Sequence, residues 1–93
     1  MFRIVVRPLA AEQIRSLRRV DAVAVVDAIE LHLRYEPDHV SRSRIKRLRG
    51  RTAATYRLRV GDFRVFYDVD EAEVVVIAVL HKRDAAALYE DEG

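Results

Sequence analysis

The chain has 93 residues, 51% of them hydrophobic and 34% charged, with a net charge of +2, a composition that fits one globular domain and leaves no core for a second. It contains no apolar run near the ~18 residues of a membrane-spanning helix, and arginines interrupt the apolar start "MFRIVVRP" too often for a secretory signal, so a cytoplasmic location is expected. There is no cysteine, which excludes disulfides and thiolate metal sites, and the three histidines lack the spacing of a metal cluster.

In chain order, "FRIVVR" alternates as a strand does, with Phe2, Ile4 and Val6 on one side and Arg3, Val5 and Arg7 on the other. Pro8 suits the first turn of a helix, where its missing N–H costs nothing, and Ala10, Ile14 and Leu17 follow at helical spacing. Asp21 can N-cap a second helix with an apolar stripe of Ala22, Val25, Val26, Ile29 and Leu33. Glu36-Pro37 then stops it, because the residue before proline is steered away from helix. Residues 37–55 read mainly as loop, with "IKRL" as a short strand. "TYRLRV" and "FRVFYDV" flank Gly61-Asp62, a Gly-first loop suited to a tight hairpin. "VVVIAVLH" is continuously apolar, as in a central strand covered on both faces, and a short helix from Asp84 to Tyr89 closes the chain. The pattern predicts an α+β domain: an N-terminal strand and an αα-hairpin packed on one face of a twisted, mostly antiparallel sheet, with a short C-terminal helix.

The charge is unevenly distributed. From Val40 to Phe66 nine basic residues (Arg42, Arg44, Lys46, Arg47, Arg49, Arg51, Arg57, Arg59 and Arg64) meet one acid, Asp62. Such a run is either a solvated face or a footprint for a polyanion such as nucleic acid. A two-residue Gly-Asp loop places Arg59 opposite Arg64 and Arg57 opposite Phe66. Like charges directly opposed in a sheet are destabilising by about 0.2–1 kcal/mol. Snorkelling arginines on an open face would explain the pair, and so would a bound phosphate, whose oxygens guanidinium forks take bidentately. Phe66 would then offer a stacking surface for a base. With an even loop such as Glu71-Ala72 before the last strand, Val79, His81 and Arg83 are expected on the same face. Tyr89 is either a core anchor or a phenol whose pKa falls beside cations, and His81 carries an imidazole, the side chain most often used as a general base. His32 and His39 read as helix-surface and loop residues without a role.

The pattern "YRLRVGDFRVFYDV", followed by the valine-rich strand, "HKR" and a late tyrosine, resembles the RelE/ParE superfamily of bacterial type II toxins over nearly the whole chain. The resemblance implies a compact toxin restrained by a cognate antitoxin. In the RelE branch it implies a ribosome-dependent endoribonuclease that enters the ribosomal A site and cuts mRNA by 2′-hydroxyl attack on the adjacent phosphate, with no metal and no cofactor. The RelE-type catalytic positions then fall on Arg57, Arg59, Arg64, Arg83 and Tyr89, with His81 as the other candidate base, and the RNA-binding set on Arg44, Lys46, Arg47, Arg49, Arg51, Phe66 and Lys82. In the ParE branch it implies inhibition of DNA gyrase by protein contact. A non-toxic, antitoxin-binding relative is the third possibility.

Overall fold

The computed structural model describes residues 1–49 and 54–89, the last four of these by backbone alone. Its elements run β1 (Arg3–Val6), α1 (Pro8–Arg15), α2 (Arg19–Leu33), β2 (Ile45–Arg47), β3 (Tyr56–Val60), β4 (Phe63–Asp70), β5 (Glu73–His81) and α3 (Lys82–Tyr89). The five strands form one sheet in the order β1-β5-β4-β3-β2. Only the β1–β5 pair is parallel. β5 is thus an inner strand, as its unbroken apolar run requires.

Local chemistry explains the helix boundaries. Pro8 occupies the start of α1, with Arg7 as an extended N-cap. In α2 the N-cap is Arg18, not Asp21 as the sequence led us to expect. Asp21 sits inside the first turn, where a negative charge complements the helix dipole, and it pairs with Arg18 at 3.5 Å. Val25, Ile29 and Leu33 face the core as predicted. Val26 does not: it is 45% exposed, beside an outer surface that includes Val20, Val23 and Leu31.

The main core lies between this helical hairpin and one sheet face. Val25, Ile29 and Leu33 meet Leu58, Val65, Tyr67, Val74, Val76 and Val79, with Tyr56, Val60 and Phe63 packed around them. Tyr67 is fully buried, and its hydroxyl donates to the Pro37 carbonyl at 2.6 Å, which fixes the loop after α2 to the sheet. The other face is only partly open. α3 and the chain after β2 cover part of it, enclosing a second, smaller core of Leu48, Ala54, Phe66, Ala78 and Ala85. The Thr55 amide donates to the Asp68 carboxylate at 2.7 Å and holds the returning chain against this face.

The register of β4 against β5 has one irregularity. From Asp70↔Glu73 to Tyr67↔Val76 the pairing is continuous, but Phe66 pairs with Ala78, leaving Ile77 as an extra residue in β5. A β-bulge of this kind reverses which face every later side chain takes. Ile77 and Ala78 therefore both serve the second core, and Val79 returns to the main one. One residue beyond the bulge, the Val79 amide donates to the Gln13 side-chain oxygen of α1 at 2.7 Å.

Two outcomes follow from these cores. Phe66→Ala should destabilise the fold by about 3–5 kcal/mol in a urea titration, as removal of a buried aromatic does. Tyr67→Phe should cost about 1–2 kcal/mol through its lost hydrogen bond. Burial, with Tyr56 and Asp38 nearby, raises the Tyr67 pKa well above its ordinary 10.0. The unfolded phenol ionises first, so the folded state holds the extra proton and stability falls as pH rises above about 10. Alkaline unfolding curves should therefore be shallower for Tyr67→Phe than for the parent chain.

Candidate functional site

The tight β3–β4 hairpin carries the basic residues. Gly61 adopts φ +57°, a left-handed conformation that side chains rarely take, so a substitution here is strained even though the surrounding space is empty. The turn fixes the register predicted from sequence, with Arg57 opposite Phe66 and Arg59 opposite Arg64. β2 adds Lys46 opposite Arg57. Two adjacent cross-strand rows result on the second face: Lys46, Arg57, Phe66 and Ala78, then Arg59, Arg64 and Leu80.

The structure shows how the opposed arginines coexist. The Arg64 guanidinium turns back over the hairpin, where its Nη1 donates to the carbonyls of Gly61 and Phe63, each at 2.9 Å. Two carbonyl dipoles thus take up charge that would otherwise face Arg59. Arg59 stays exposed, and its amide donates to the Arg44 carbonyl at 2.8 Å, which extends the basic surface to the chain entering β2. Ser43, Arg44, Arg59 and Gly61 line a shallow cleft of about 210 Å³. Among the described residues its lining contains two guanidinium groups, a hydroxyl and no carboxylate, a donor set suited to a phosphate. Ser43 was missed in the sequence; its signal was its place between arginines in "SRSR".

The acid nearest in sequence, Asp62, is engaged elsewhere. Its carboxylate lies 3.5 Å from Lys82 Nζ, and its carbonyl accepts from the Lys82 amide at 2.7 Å. These contacts join the hairpin turn to the start of α3 and place exposed Arg83 in that helix's first turn. Tyr89 ends the same helix.

Two expected members are elsewhere. Phe66 is 1% exposed inside the second core, so it presents no stacking face to a base; burial against Leu48, Ala54, Ala78 and Ala85 uses its ring. His81 lies on the opposite sheet face despite the even Glu71-Ala72 loop, because the Ile77 bulge reverses the alternation. Its ring meets Phe63 edge-on at 5.6 Å, and its Nδ1 accepts from the Arg83 amide at 3.2 Å. The basic run is also split between faces. Arg47 pairs with Tyr56 on the main-core side, its guanidinium 5.7 Å from the ring centroid, where a cation–π contact holds it. Arg49 is exposed beyond β2, and Arg51 lies outside the described residues.

Comparison with known proteins gives the family. The model of the ParE toxin of the type II toxin–antitoxin system parDE matches residues 4–86. Among solved structures, the RelBE2 toxin–antitoxin complex of Mycobacterium tuberculosis contains a chain 28% identical, with a TM-score of 0.72 over 86% of this chain and 96% of that one. A chain of the Pyrococcus horikoshii RelE–RelB complex is 22% identical, with a TM-score of 0.71 over 87% of this chain and 94% of that one. A chain of the Methanococcus jannaschii RelB–RelE complex is 17% identical, with a TM-score of 0.68 over 89% and 95%. The last two show likeness of fold alone. No curated protein matches the chain. The match to the family model across nearly the whole sequence, on a sheet and helical hairpin shared with the RelE chains, shows that this protein belongs to the RelE/ParE superfamily of type II toxins.

Proposed function

We propose that this toxin is a ribosome-dependent endoribonuclease that cleaves mRNA in the ribosomal A site. The observation that carries this reading is the basic surface around the hairpin, where Arg59 directly opposes Arg64 and borders a cleft that Arg44 and Ser43 also line. A sequence selected for stability alone has no reason to keep that pair, whereas an RNA phosphate gives it one.

In this mechanism the 2′-oxygen attacks the adjacent phosphorus as its proton passes to a base, the bond to the 5′-oxygen breaks, and a 2′,3′-cyclic phosphate forms. The 5′-oxygen leaves with a proton. Arginine is not the base, because a guanidinium does not deprotonate in proteins. Arg59 and Arg64 neutralise the charge that builds on the phosphorane, Arg83 clamps the phosphate, and Arg57 supports the row behind them. Of the two candidate bases, the placement of His81 on the other face favours Tyr89.

The restraining partner is a cognate antitoxin, in keeping with the complexes in which the similar chains occur. The exposed apolar residues Val20, Val23 and Val26 on α2 suit an amphipathic segment that folds as it binds. A second reading, inhibition of DNA gyrase by protein contact, is favoured by the match to the ParE model.

Primer extension on mRNA from cells expressing the chain without antitoxin separates these readings. Cleavage at translated codons, reduced about 10²–10⁴-fold by Tyr89→Phe and also lost in Arg83→Ala, is the expected result. Growth arrest with intact messages and damaged DNA would replace it with the gyrase reading. Val23→Asp should weaken antitoxin binding about tenfold or more in calorimetry, the effect of truncating a moderate interface anchor, while leaving cleavage unchanged.

A further inference from the structure

Arg44 borders two clefts. On one side is the phosphate-sized recess it shares with Ser43, Arg59 and Gly61. On the other is a second cleft of about 260 Å³ between the end of α2 and the start of β2, lined by residues including His32, Tyr35, Glu36, His39 and Arg44, with Ile45 among its walls. Neither histidine has a role in the sequence pattern, and the catalytic scheme uses none of the residues peculiar to this cleft.

The second cleft differs from the first in its chemistry. Tyr35 is 66% exposed, an aromatic ring in contact with water just beyond the helix end. His32 has its pKa lowered from 6.5, first by burial and then by the Arg44 charge, so its ring is neutral near pH 7 and can both donate and accept a hydrogen bond. The Glu36 carboxylate in the lining disfavours a phosphate there but accepts from the exocyclic amino group of a base. A flat ring, the neutral His32 imidazole edge and an acceptor form a set that stacks on and reads a nucleobase.

The segment carrying Arg44 is built in advance of any ligand. Ser41 Oγ accepts from the amides of Arg44 and Ile45, both at 3.0 Å, and the Ser41 amide donates to the Ile45 carbonyl at 2.9 Å. This closed turn presents Arg44 between the two recesses at little ordering cost on binding.

We propose that the cleft between α2 and β2 is a base-binding subsite for a nucleotide flanking the scissile phosphate, with Arg44 holding the phosphate that joins the two positions. The proposal rests on the RNA-binding part of the function above and adds a second contact point for the strand. Tyr35 stacks on the flanking base, while His32, His39 and Glu36 contact its edge.

The test is an NMR titration of the purified full chain with a 2′-O-methyl tetraribonucleotide, which binds but has no free hydroxyl to attack, and with an abasic version of the same length. The expected result is shift changes at residues 31–45 as well as 57–64. Tyr35→Ala should bind the base-containing strand about fivefold or more weakly and the abasic strand as the parent does, Tyr35→Phe should retain binding, and Arg44→Ala should weaken both strands. Shift changes confined to 57–64, or equal binding of both strands by Tyr35→Ala and the parent, would overturn the subsite. So would loss of antitoxin binding in Tyr35→Ala with RNA binding intact, which would make the cleft a protein-docking surface. A parent chain that shows the Tyr35-dependent, base-dependent binding but cuts no message would support the subsite and overturn only the nuclease reading.

Discussion

A single extra residue, Ile77, sets the two faces of this molecule. By interrupting the β4–β5 register it lets β5 serve the main core twice, through Val74 and Val76 before the bulge and Val79 after it. It also gives the second face Ile77 and Ala78 in succession, a wider apolar patch than alternation allows. That patch and Phe66 form the surface against which Ala85 of α3 packs. Without the bulge, Val79 would turn toward the arginines and His81 toward the second face. The position of α3, and with it the placement of Arg83 and Tyr89, depends on this local break in pairing.

Electrostatics on the second face is managed by position more than by pairing. Arg64 directs one guanidinium nitrogen to the hairpin carbonyls, Lys82 takes the Asp62 carboxylate, and Arg47 lies against Tyr56 on the other side. What remains in water beside the hairpin is Arg59 and the Arg44 segment. An exposed ion pair contributes little to stability, so leaving these cations without a lining acid among the described residues costs the fold little. The smaller core beneath them contributes rigidity, since Phe66 and Leu48 lock the strands that carry the charges.

Much of the architecture was legible because its signals are local. Pro8, the 3.6-residue spacing of Val25, Ile29 and Leu33, the Gly61-Asp62 turn and the alternation in β3 and β4 each point to one structure, and the register Arg59↔Arg64 follows from loop length alone. Where local signals competed, they misled. Asp21 is a good N-cap by type, but the helix begins earlier and uses it in the first turn; Val26 is apolar, yet it lies outside the arc that the sheet can cover.

The sequence by itself determined the element order, the basic hairpin and the family pattern, because these depend on short-range periodicity and on residue types that allow few alternatives. The tertiary structure decided which side of the sheet each functional group occupies. An unbroken apolar strand carries no alternation that would reveal a bulge, so the face taken by His81 became visible only in the pairing with β4. The fate of Phe66 depended likewise on distant Leu48, Ala54 and Ala85 meeting over it. The cleft joining Tyr35 to Arg44 brings together a helix end and a strand start, and that proximity exists only once the loop between them is tied to Tyr67 through Pro37.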